Sequence, residues 1–138
     1  MATTTATIIL SSTDLLSDTL DLNTTATLTG AGNSTGLTLA NGLSRKKTGD
    51  TNQYTLASAS DATFTTDKAH KIYLKNTETD AAKYFLISVG DQELGRLYAG
   101  DWALLPWNAD EDATPDADIK ITPSAASMTL EHMVFIDS

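Results

Sequence analysis

The fold turns on His70-Lys71-Ile72-Tyr73-Leu74-Lys75, followed by Asn76-Thr77-Glu78-Thr79-Asp80 and then by Ala82-Lys83-Tyr84-Phe85-Leu86-Ile87-Ser88-Val89. In the first block Ile72 and Leu74 fall at one parity and Lys71, Tyr73 and Lys75 at the other, the period-two pattern of a strand with one buried face. The middle block is polar and reads as a turn. The last block carries apolar residues at both parities, as expected of a strand buried on both faces. Together they predict a long antiparallel hairpin at the centre of the core.

Outward from this block the same period recurs. On the C-terminal side, Gly90-Asp91 and Gly100-Asp101 are turn signals that bound Glu93 to Tyr98 and Trp102 to Trp107. Asn108 to Ala117 is acidic, contains Pro115 and reads as a surface loop. Asp118 to Thr122 and Met128 to Ile136 read as strands. On the N-terminal side the candidates are Gln53 to Ser58 and Ala62 to Thr66. Before them, Thr35 to Ala40 is joined through Asn41-Gly42, a strong hairpin signal, to a short return strand from Leu43 into Arg45-Lys46-Lys47. Thr24 to Thr29 alternates Thr with Ala and Leu. Ser11 to Leu22 reads as a loop in which Ser12 could cap a single turn, and Thr5 to Leu10 as a first strand or extended arm.

Roughly ten short strands at spacings of about 8 to 12 residues predict an all-β fold, an antiparallel β-sandwich or jelly roll. The expected division is an N-terminal arm, or first strand with loop, over 1–23 and a sandwich over 24–138.

Composition agrees with this reading and narrows the functions. The chain has 138 residues and 23 threonines, a strand-favouring bias. It lacks cysteine, which excludes disulfides, thiolate metal sites and a cysteine nucleophile. The net charge of −9 argues against nucleic-acid binding, which needs clustered Lys and Arg. No stretch is apolar for long enough to form a membrane-spanning helix, and no base precedes the apolar run near the N-terminus as a secretory signal would require. Charge is unevenly placed: residues 1–44 hold three acids and no base, and residues 97–138 hold eight acids and one base.

No catalytic set assembles from these residues, and the chain reads as a non-enzyme without a cofactor. Gly32-Asn33-Ser34-Thr35-Gly36 matches the G-x-S-x-G nucleophile elbow, but Leu37 to Gly42 reads as a strand and turn, not the helix that the motif requires. Asp110, Glu111, Asp112, Asp116 and Asp118 could offer oxygens to a hard cation. The EF-hand register fails, however, with Pro115 at the glycine position and Ile121 at the glutamate position. His70 and His132 lie on separate strands, without a second histidine nearby for zinc. Ile8, Ile9 and Leu10 in the arm, and Tyr98, Trp102 and Trp107 near turns, are the candidate interface residues. Such aromatics anchor protein contacts or stack on sugar rings.

The C-terminal half resembles small virion structural proteins of tailed bacteriophages. The resemblance is carried by Lys71-Ile72-Tyr73-Leu74-Lys75-Asn76-Thr77, by Lys83 to Gly90, by Leu94-Gly95-Arg96-Leu97-Tyr98-Ala99-Gly100-Asp101-Trp102-Ala103-Leu104-Leu105-Pro106-Trp107, and by the final strand Met128 to Ile136. It covers residues 70–138. It implies a β-sandwich capsid decoration or cement protein on the outer surface of the capsid, a homotrimer whose partner is the major capsid protein, with no nucleic acid or membrane partner. A tail or fibre-associated virion component and a carbohydrate-binding module are the alternatives.

Overall fold

The computed structural model describes residues 3–15, 17–32 and 34–138, and among these the regular structure is entirely antiparallel strand. Eleven strands form: β1 Thr5–Ser12, β2 Leu20–Thr27, β3 Leu39–Ala40, β4 Ser44–Lys47, β5 Tyr54–Ala57, β6 His70–Asn76, β7 Tyr84–Val89, β8 Gln92–Tyr98, β9 Trp102–Trp107, β10 Ile119–Pro123 and β11 Thr129–Ile136. One sheet has the order β5-β10-β7-β8. The other has the order β3-β11-β6-β9, with β4 also on β11, and β1-β2 form a separate hairpin.

Counted from β4, the larger sheet holds the first, eighth, third and sixth strands, and the smaller holds the second, seventh, fourth and fifth. The chain thus passes repeatedly between two sheets, the winding of a double-sheet jelly roll. The β-sandwich is therefore the architecture of the chain, preceded by a hairpin.

The core lies between the two sheets. Alternation in β6 turns Ile72 and Leu74 inward, and β11 adds Leu130 and Val134, all four fully buried. The facing sheet contributes Phe85, Ile87, Ile119 and Ile121. Burying a large apolar side chain contributes about 1.5–3 kcal/mol, so these eight residues outweigh any surface ion pair in the molecule.

The expected hairpin from β6 to β7 does not form, because the two strands belong to opposite sheets and face each other across the core. Asn76 explains the crossing. Fully buried at the end of β6, it donates from Nδ2 to the carbonyls of Leu97 (2.9 Å) and Lys83 (3.3 Å) and accepts at Oδ1 from the N–H of Glu78 (3.0 Å). Its backbone N–H reaches Asp101 O and its carbonyl accepts from Gly100 N, both at 3.0 Å. One amide side chain thus satisfies the backbone groups at a corner between sheets. β7 instead pairs with β8 and β10.

Asn41-Gly42 also departs from expectation. Strands β3 and β4 do not pair with each other but succeed one another along the same edge of β11. Asn41 bridges the gap by donating its N–H to Val134 O (3.1 Å) and accepting Val134 N–H at Oδ1 (2.8 Å), while Gly42 takes φ +82°. Its side chain stands in for a backbone partner, so the dipeptide makes a break along one edge. Ala62 to Thr66 is not a strand; Phe64 is buried from a turn, edge-on to Trp107 at a centroid distance of 4.9 Å. Ser11 to Leu22 is more ordered than expected: β1 runs to Ser12, β2 starts at Leu20, and Ser12 Oγ accepts the N–H groups of Asp14 and Leu15.

Candidate functional site

The outer face of the larger sheet and the hairpin above it bring together exposed Ile8, Ile9, Leu10, Leu22 and Trp102 with the half-buried Tyr73, Leu104, Met133 and Phe135. The register sets three rows across this face. Arg45, Glu131, Lys75 and Trp102 form the first, Met133, Tyr73 and Leu104 the second, and Ala40, Phe135, Lys71 and Pro106 the third. Strand alternation alone puts them on the side opposite Leu130, Ile72 and Leu74.

The hairpin is rooted beside this face. Leu28 N–H donates to Thr4 O (2.9 Å), Leu37 N–H donates to Leu28 O (2.7 Å), and Leu28 and Leu37 are buried. Asp137 ties the root to the core: Oδ2 accepts from Ala31 N–H (2.7 Å) and Ala69 N–H (2.9 Å), and its own N–H donates to His70 Nδ1 (3.1 Å). The Ala69 and Ala31 N–H groups hold the Asp137 carboxyl below its ordinary pKa.

Beyond the root, hairpin and sheet are separated by two grooves. One, of about 320 Å³, is lined on the hairpin side by Thr5 and Thr7 and on the sheet side by Tyr73, Trp102 and Met133. The other, of about 280 Å³, sets Ala6, Ile8 and Ala26 opposite Leu104 and Pro106. Past Ile8 the hairpin overhangs. Leu10 and Leu22 pair across it and remain 51% and 41% exposed, and Ile9 is 63% exposed. Neither β1 nor β2 pairs with a third strand, and eight residues at about 3.4 Å each give the hairpin a length of about 27 Å. Asp14, Asp18 and Asp21 lie at or near its tip.

The sequence-nominated residues divide accordingly. Ile8, Ile9 and Leu10 lie on the hairpin, and Trp102, 52% exposed, borders the same groove system. Tyr98 is exposed elsewhere, on the smaller sheet, where its ring lies 5.3 Å from that of Tyr84 with Arg96 over the Tyr84 face. Trp107 is in the core, only 4% exposed, and its indole N–H donates to Ala117 O at 2.7 Å. Trp102 and Trp107 have opposite parity on one strand, a signal already present in the sequence. Reading by residue type alone missed Tyr73, Leu104 and Met133, which complete the apolar face.

The other candidates find structural partners. Asp118 Oδ1 accepts from Ala59 N–H and Ser58 Oγ, and Asp116 Oδ1 accepts from Lys120 Nζ. Among the described residues, no group of three or more His, Asp or Glu is placed to hold a metal. His70 is fully buried, accepting at Nδ1 and donating from Nε2 to Thr65 O (3.0 Å). His132 is on the core side of β11, opposite in parity to Glu131. Its Nδ1 is buried without a partner, and burial, with the Lys46 charge second, lowers its pKa. Ser34 sits in a loop closed by the bridge of Thr29 with Gly36, away from any strand-to-helix turn; Asn33 lies outside the described residues.

The fold and this region define a class: an antiparallel β-sandwich with jelly-roll winding and a projecting, partly apolar hairpin. No protein-family model, curated protein sequence or solved structure matches the chain.

Proposed function

We propose that the chain is a structural protein of a tailed-phage virion, a decoration or cement protein that binds the major capsid protein on the outer surface of the capsid. The observation that carries this reading is the β1–β2 hairpin, whose exposed Ile9, Leu10 and Leu22 project from the sandwich. Isolated two-stranded hairpins are marginal in water, and apolar residues clustered on one suit burial against another protein. Two further points support the reading: the resemblance over residues 70–138, and an analogy of fold, since jelly rolls serve in viral capsid and lectin domains.

The mechanism is multivalent. In a trimer, as the resemblance implies, each hairpin makes a modest contact and symmetry sums the contacts across neighbouring capsid subunits. The free edges of β1 and β2 can add a strand to a partner sheet, and the apolar residues between them add burial.

Immunogold labelling of intact phage particles that carry this gene tests the assignment. Label over the shell is the expected result. Label confined to the tail transfers the protein to a tail-associated role, and unlabelled particles overturn the virion assignment. One observation favours a carbohydrate-binding reading: exposed Trp102 beside Tyr73 offers aromatic surface to a sugar ring. Quenching of Trp102 fluorescence by host glycans, with loss in Trp102→Ala, would favour it over the capsid.

A further inference from the structure

We propose that Asn41 is a site of spontaneous covalent modification, closing to a succinimide with Gly42 N and opening to an isoaspartyl link that the fold accepts without losing either bond to Val134. The inference concerns the chemistry of one dipeptide and stands without the capsid reading, so failure to bind capsids leaves it intact.

The reacting groups are free and the carbonyl is polarised. Asn41 is the one asparagine of the chain followed by glycine, and both residues are exposed in the gap between β3 and β4. Glycine puts no side chain beside the attacking nitrogen, and nothing lies within 4 Å of a Cβ built on Gly42. Neither the Gly42 N–H nor Asn41 Nδ2 has a hydrogen-bond partner among the described residues. Val134 N–H donates at 2.8 Å to Oδ1, the atom on which negative charge gathers when Cγ is attacked.

The reaction needs only water. Gly42 N bonds to Asn41 Cγ, the Cγ–Nδ2 bond breaks, and the amide leaves as ammonia with the proton that Gly42 N gives up. Water then opens the ring. Attack at Cγ gives aspartate. Attack at the main-chain carbonyl carbon of Asn41 gives the isoaspartyl link, in which Cγ and Oδ1 become main chain and the former carbonyl carbon carries a free carboxylate.

The packing of Asn41 against β11 decides what this second product does. Oδ1 already fills the place of a backbone acceptor opposite Val134, and its bond to Cγ survives both steps. After the rearrangement the Asn41 N–H still faces Val134 O and Oδ1 still faces Val134 N–H, now as a main-chain pair. Gly42 and Leu43, exposed and outside any strand, take up the added main-chain atom before β4 begins at Ser44.

Ageing the folded full chain in warm, mildly alkaline buffer tests this. Peptide mapping with electron-transfer fragmentation locates the isoaspartyl link, and hydrogen exchange on the purified product reports on Val134. Position 41 is expected to convert ahead of every other asparagine. In the isoaspartyl protein the Val134 amide should exchange within about threefold of its rate in the unaged chain, whereas in Asn41→Ala, which lacks Oδ1, it should exchange at least about tenfold faster. An aged chain without isoaspartate at position 41 would overturn the proposal. So would a Val134 amide that exchanges as fast in the isoaspartyl protein as in Asn41→Ala.

Discussion

Replacing Gly90 with alanine should destabilise the sandwich far more than the same change at Gly100, and the difference isolates one close contact. Both glycines come after strands and occupy the left-handed region, Gly90 at φ +57° and Gly100 at φ +84°. That conformation costs an L-residue about 1–2 kcal/mol. Nothing lies within 4 Å of a Cβ built on Gly100, so this cost is all that Gly100→Ala should incur. A Cβ on Gly90 would stand 2.0 Å from Asp116 O and 3.2 Å from Asp116 C. These are backbone atoms of the acidic loop, which cannot swing aside as a side chain can. The loop is also tied down nearby, by Gly90 N–H to Asp118 O at 2.8 Å and by the Trp107 indole to Ala117 O. Moving it adds the about 1–3 kcal/mol typical of overpacking, for a total loss of about 2–5 kcal/mol at Gly90. Urea unfolding monitored by tryptophan emission measures both variants, the midpoint shift at constant slope giving the loss. Equal losses at the two positions would be incompatible with this contact, because they would mean that the acidic loop does not press on the β7–β8 turn.

Three further outcomes concern buried polar groups. Asn76→Leu keeps the branched shape but strands two carbonyls and one N–H, and should cost about 2–4 kcal/mol; a loss below about 1 kcal/mol in urea unfolding would contradict the corner role. Asp137→Ala should cost about 1–3 kcal/mol and speed amide exchange at Ala31 and Ala69. Because the Asp137 carboxyl is held below its ordinary value of 3.8, its contribution is present above that pH and vanishes as pH falls through the lower folded value; a variant that keeps the native acid-unfolding curve would be contrary to this. His132 behaves similarly at higher pH: with its folded pKa below 6.5, protonation favours the unfolded chain, and native stability should decline as pH drops from 6.5 towards the folded value. His132→Leu should flatten that decline, and an unchanged pH profile would count against it.

The faces of the strands were legible in the sequence and their partners were not. Parity in Ile72 and Leu74 against Tyr73 and Lys75 gives the buried side of β6, whereas β7, apolar at both parities, reads as buried on both faces and in the structure buries Phe85 and Ile87 while Tyr84 and Leu86 stay half-buried on the outer side of the smaller sheet. Nothing in parity says whether the chain turns back within a sheet or crosses to the other. That choice is made by Asn76, whose side chain bonds backbone groups up to 21 residues away. Asn41 misleads for a related reason: its amide replaces a backbone pair with Val134, a contact across 93 residues that local turn chemistry does not register. Phe64 reaches the core from a turn because Trp107 and His70 leave it a seat. In the candidate region, Ile8 to Leu10 and Trp102 stand out by type, while Tyr73, Leu104 and Met133 gain meaning only once β6, β9 and β11 lie side by side.

The proposed delivery of this protein to a capsid by its hairpin is best examined by cosedimentation with phage capsids assembled without it, using the native chain and the variant Ile9→Asp with Leu10→Asp. Both positions are exposed, so the sandwich should keep its native urea midpoint. Saturable binding of the native chain and loss of binding by the variant are expected. Equal binding of the two proteins, at unchanged stability, would show that the hairpin does not make the capsid contact.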